Sequence, residues 1–181
     1  MAKLKIWKPL TDEHFEELIT LAIQAYQLAN RTPSMRRLAA YLISLAGWRW
    51  TADAVDSATG IVKPDAIKFD IRYLPHTADA ALISAQYPMS QLGKYFTHEH
   101  SFPLSLIAEK VISLETESRK AIREIFDVHC RAAIVTREEN GKLDSAKLRS
   151  AMPSDWSFGG DIYARYSIVG IKLLPPSLMK E

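Results

Sequence analysis

The chain has 181 residues, 48% hydrophobic and 24% charged. These are the proportions of an ordinary globular protein and not of a disordered, collagen-like or coiled-coil chain. Cys130 is its one cysteine, which excludes an internal disulfide and a cysteine-rich zinc site. A net charge of +2 is too small to announce nucleic acid by itself. The length suits one domain or a compact core with an appendage. Met1–Leu10 carries lysines with no apolar run behind them, so no secretory signal is read there. The most apolar stretch, Leu38–Ala46, spans about nine residues, far below the roughly 20 that cross a bilayer. No membrane partner and a cytoplasmic location are expected.

Two helices open the chain. Thr11 caps the first, with Glu13 and Glu16 near its positive end. Phe15, Leu18, Ile19, Ala22, Ala25, Tyr26 and Ala29 fall on one face at helical spacing, and Asn30 and Arg31 close it. Thr32-Pro33 starts the second helix, whose apolar stripe is Met35, Leu38, Ala39, Leu42, Ile43 and Ala46, with Gly47 as its stop. Ala52–Lys63 reads as loop. Ile67–Tyr73 alternates apolar and charged residues, the pattern of a half-buried strand ended by Pro75. Short helices are predicted over Asp79–Ala85 and Ser90–Lys94.

The second half is more patterned. Tyr95–His100 reads as a short strand entering a turn, and Pro103 starts a helix with Leu104, Ile107, Ala108 and Val111 on its apolar face. Thr116 caps another helix, with Ala121, Ile122, Ile125 and Phe126 inward. Ala132–Val135 is a buried strand. Thr136 and Glu139 fit a capping box opening a helix toward Ser150. Asp161 caps a last helix through Tyr166, Gly170 stops it, and Ile171–Leu174 forms a final strand before a frayed tail. The fold class is α+β: a helical N-terminal region with one strand over 1–93, and a small finger plus a C-terminal helix over 94–181, together one compact unit.

Thr97-His98-Glu99-His100-Ser101-Phe102-Pro103 places two imidazoles and a carboxylate just before a helix. After about 30 residues come a strand and Thr136-Arg137-Glu138-Glu139-Asn140, opening another helix. A one-metal phosphodiesterase uses this order: a strand-end His deprotonates water while a carboxylate and a helix-borne Asn hold a divalent ion. Hard oxygen ligands suit Mg²⁺ or Mn²⁺, and an imidazole ligand widens the choice to zinc or nickel. The same residues also read as a polar turn capping the helix at Pro103, with Asn140 a solvated first-turn residue. Gly159-Gly160 lacks the surroundings of a phosphate-binding loop, and no Gly-x-Ser-x-Gly elbow is present.

Glu99-His100-x-x-Pro103, followed by the strand and helix over Ala132–Leu143, resembles the HNH (ββα-metal) endonucleases over roughly residues 94–150. The resemblance implies a ββα-metal-like finger in which His100 is the general base, Glu99 a metal ligand, and Asn140 or Glu138 the ligand from the helix. His129 falls where that family has its middle Asn and takes the orienting role. Mg²⁺ is the implied ion, and DNA the implied partner. The expectation is a hydrolase cutting phosphodiester bonds, as a restriction, mobile-element or defence nuclease does.

Arg31, Arg36, Arg37 and Arg49, interleaved with Trp48 and Trp50, form a second feature. Arginines on such a helix hold phosphates or guanine edges, and Arg165 is placed to reach a phosphate from an aromatic cluster around Trp156. The same residues also read as a solvated basic face with tryptophans closing the core, and Arg165 as a partner in a structural salt bridge. The alternative function is therefore a non-catalytic helical DNA-binding or protein-interaction module, a regulator or inhibitor. A third reading keeps the ββα scaffold with a site that only binds, since the family's middle Asn is absent and the net charge is near neutral.

Overall fold

A computed structural model describes residues 7–29, 32–56, 59–114 and 118–177. The expected helix close at Asn30 and Arg31, the Thr116 cap and the tail over Leu178–Glu181 lie outside these residues. The fold is α+β, and the chain divides into two compact units interleaved in sequence: Met1–Lys68 with Ile107–Asp127, and Phe69–Leu106 with Val128–Glu181.

In the first unit, α1 (Asp12–Ala29) packs on α2 (Pro33–Ala52). Thr32 caps α2 by accepting from the Met35 N–H at 3.1 Å. The inward stripe is as expected on α1, burying Ile19, Ala22, Ala25, Tyr26 and Ala29. On α2 the helix does not stop at Gly47. It continues to Ala52, because Trp50 must reach Phe15 (ring centroids 4.1 Å) and Phe126 (5.2 Å). Burying such aromatic area outweighs the roughly 1 kcal/mol cost of a helical glycine. Asp53 then ends α2, its carboxylate accepting from the Asp65 N–H at 2.9 Å and from Arg49 at 3.2 Å.

The stretch read as loop after α2 holds two short strands instead. β2 (Ala54–Asp56) lies between β1 (Trp7–Pro9) and β3 (Val62–Lys63) in an antiparallel sheet. Gly60, at φ +69, closes the β2–β3 turn, its N–H donating to the Asp56 carbonyl at 2.9 Å. The predicted strand over Ile67–Tyr73 is not formed. Asp70 folds the chain into a turn by accepting from the Arg72 N–H (3.0 Å) and the Arg72 guanidinium. A local side chain-to-backbone bond here defeats a period-two pattern.

The second unit is built on β4 (Phe96–His100) and β5 (Ala132–Thr136), paired antiparallel in the register Glu99↔Ala133. Around them stand α3 (Ala78–Gln86), α4 (Met89–Leu92), α7 (Arg137–Ser145) and α8 (Ala164–Ile168). The helices α5 (Leu104–Ile112) and α6 (Arg119–His129) run across the division between the units. The expected C-terminal strand is reduced to one bridge, Leu174 to His76, and His76 bridges Ile134 on its other side. His76 is accordingly buried (4% exposed).

Candidate functional site

Paired residues of an antiparallel ladder share a face, and successive residues alternate. Thr97 opposes Val135 and Glu99 opposes Ala133. Ala133 and Val135 pack with Leu143 of α7 and Tyr166 of α8, so Glu99 lies on the α7–α8 side of the sheet. His98 opposes Ile134 and His100 opposes Ala132, while Phe96 and Ile134 pack with Leu74, Ala80 and Leu92. Both imidazoles therefore lie on the α3–α4 side, buried and edge to face at 5.0 Å between ring centroids. The sheet separates the expected base from the expected ligand.

Glu99 meets Arg165 instead, in an ion pair whose guanidinium is 1% exposed. Each guanidinium N–H has its own oxygen. Nε donates to the Ser101 carbonyl (3.0 Å), and Nη1 donates to the carbonyls of Leu148 (2.5 Å) and Arg149 (2.8 Å). Nη2 donates to Glu99 and to the His100 carbonyl. Burial pushes the Glu99 carboxyl above its ordinary value, and the Arg165 charge and hydrogen bond oppose that push. The Tyr166 hydroxyl beside this pair is driven up by burial and then by the Glu99 charge.

Of the two expected uses of Arg165, the structural salt bridge is the one formed; the phosphate contact is corrected, because a guanidinium with every donor engaged inside the protein offers none to a ligand.

Glu139 satisfies the capping box at the start of α7. It accepts from the Thr136 N–H (2.8 Å), Thr136 accepts from the Glu139 N–H (3.1 Å), and Glu139 takes a further bond from the Thr77 hydroxyl at 2.8 Å. Asn140 precedes Leu143 by three residues and so shares its sheet-facing side; its Oδ1 is buried without a hydrogen-bond partner among the described residues. Glu138 points elsewhere, lining an open cleft of about 450 Å³ with Asp79, Leu82, Lys94 and Tyr95. His129 ends α6 inside an aromatic cluster, 4.8 Å from Phe102 and 5.4 Å from Phe158 between ring centroids.

The implied divalent ion does not fit this arrangement. Glu99 is paired, His100 faces away from it, Glu138 lines a separate cleft and His129 sits among rings. Among the described residues no cluster of three or more His, Cys, Asp or Glu is placed to hold a metal ion.

The basic feature on α2 is also altered by its partners. Arg36 pairs with Glu109 at 2.6 Å and Arg49 with Asp53 at 3.2 Å, and Arg31 lies outside the described residues. Arg37 remains exposed, its guanidinium reaching Ser34 at 3.4 Å. The inward stripe expected on this helix is split. Ala39, Ile43 and Ala46 are buried, whereas Met35 and Leu38 are 39% and 44% exposed beside Tyr41 at 63%. The sequence carried one signal of this second face, the three-residue spacing of 35, 38 and 41, which the dominant stripe masked.

The protein is thus an α+β chain whose second unit is a strand–strand–helix assembly with an internal ion pair. No family model matches it, and no curated protein or solved structure was found to be similar.

Proposed function

We propose that the protein acts by binding, as a non-catalytic protein-interaction module that presents the outer face of α2. The observation carrying this reading is the exposed run Met35, Leu38 and Tyr41 on a regular helix, with Arg37 at its edge. A helix face at this spacing is the geometry of a helix-in-groove anchor, and aromatic and arginine side chains dominate interface energetics. The partner is a protein with an apolar groove bearing a carboxylate to meet Arg37. Duplex DNA is the weaker occupant, since two of the arginines that would neutralise phosphates already have carboxylate partners.

Metal-dependent cleavage of DNA is the second reading. It is favoured by the order β4, β5, α7, a ββα assembly with Glu99 on its helix-facing side. In it His100 would be the base, and Glu99 and Asn140 the Mg²⁺ ligands, which requires the strand end to turn over.

A plasmid-nicking assay with Mg²⁺, Mn²⁺ or Ni²⁺, run beside His100→Ala and EDTA, separates the two. The binding reading expects no cutting, no gel shift, and a cross-link from a photoreactive residue at position 41 that disappears in Leu38→Asp. Metal-dependent nicking lost in His100→Ala would replace it with the nuclease reading.

A further inference from the structure

The Arg165 environment has a completeness that a simple ion pair does not need. Five N–H donors meet five oxygens, contributed by Glu99, His100, Ser101, Leu148 and Arg149. These come from the end of β4 and from the segment after α7, and the cation comes from α8. Four of the oxygens are backbone carbonyls, so the cage is shaped by the course of the chain and not by adjustable side chains. One carboxylate supplies the single negative charge that a single guanidinium requires.

We infer that this part of the second unit is a guanidinium-binding cage with Arg165 as its resident cation, occupying the carboxylate that the ββα resemblance assigns to a divalent ion. The cage accounts for two otherwise separate facts: among the described residues Glu99 contributes to no metal-holding cluster, and a guanidinium that is 1% exposed persists without solvent. A buried charge is tolerated when it is paired and all its donors are satisfied. The planar fork fits this set of oxygens, whereas an ammonium, with three donors, leaves oxygens unmatched. The inference concerns the second unit alone and is independent of what binds α2.

The test is thermal unfolding of the full chain and of Arg165→Gly, with methylguanidinium as the probe. The glycine variant melts lower than the parent. Methylguanidinium at ten times its dissociation constant raises the variant's melting temperature by roughly 3–6 °C and leaves the parent unmoved. Equal rescue by methylammonium, or none in a variant folded by circular dichroism, overturns the cage.

If Arg165→Gly does not fold, titration of the parent decides. No change in melting with Mg²⁺, Ca²⁺ or EDTA upholds the resident guanidinium. A rise with either metal that is lost in Glu99→Gln overturns it.

Discussion

At Glu99 and Arg165 the balance of forces is set by burial. Taking a carboxylate out of water raises its pKa, and a neighbouring guanidinium lowers it; here the first effect is the larger. Removing the cation leaves a buried charge without a counter-ion and four carbonyls without donors. Arg165→Ala is therefore expected to cost about 3–5 kcal/mol, read from urea denaturation. A carboxyl whose pKa is higher folded than unfolded stabilises the fold below the unfolded pKa, and that contribution is lost as pH rises through the folded pKa. The variant widens this shift, so its deficit is greatest at neutral pH and shrinks on acidification through the carboxylate range. A deficit that grew on acidification would mean that Glu99 is not the group left uncompensated. Glu99, His100 and Asn140 were all visible in the sequence as chemistry-bearing residues. Which of them meet was not, because strand alternation puts adjacent residues on opposite faces and the partner of Glu99 lies 66 positions away.

Elements follow the sequence where their signals are local. The Thr136–Glu139 capping box is a four-residue pattern and forms as written. Its Glu139 also takes the Thr77 hydroxyl, linking α7 to the cap of α3, where Thr77 accepts from the Ala80 N–H at 3.2 Å. Glu139→Ala then removes a cap partner and a buried side-chain bond together, with an expected loss of about 1–3 kcal/mol. Amide exchange in the first turns of α3 and α7 checks the linkage: both should speed up, whereas a cap serving α7 alone would leave α3 unchanged. Elements depart from the sequence where a neighbour intervenes. Gly47 is carried through by Trp50, and Ile67–Tyr73 is turned by Asp70 despite a clean strand alternation.

For the molecule as a whole, the outer face of α2 is the surface whose chemistry is least explained by the fold. Leu38→Asp sits at an exposed position, so it should change stability by no more than about 0.5 kcal/mol while abolishing the position-41 cross-link. A loss of several kcal/mol would place this face in the core and withdraw it as a docking surface. Among the described residues no helix is long and apolar enough to cross a membrane. The interleaving of the two units, with Ile107–Asp127 joining the N-terminal one, has no local marker, since a chain returning to an earlier unit carries the same apolar stripes as one that does not.

The sequence by itself determined the α+β class, most helices, the β4 and β5 strands and the α7 cap. Periodicities, prolines and capping residues act within a few positions and need no distant partner. Tertiary structure alone decided that Glu99 belongs to Arg165, that His98 and His100 look the other way, and that Met35 and Leu38 of the α2 stripe face solvent. Those outcomes depend on which surfaces meet after long stretches of chain have returned, and burial, not spacing, sets the energy of that meeting.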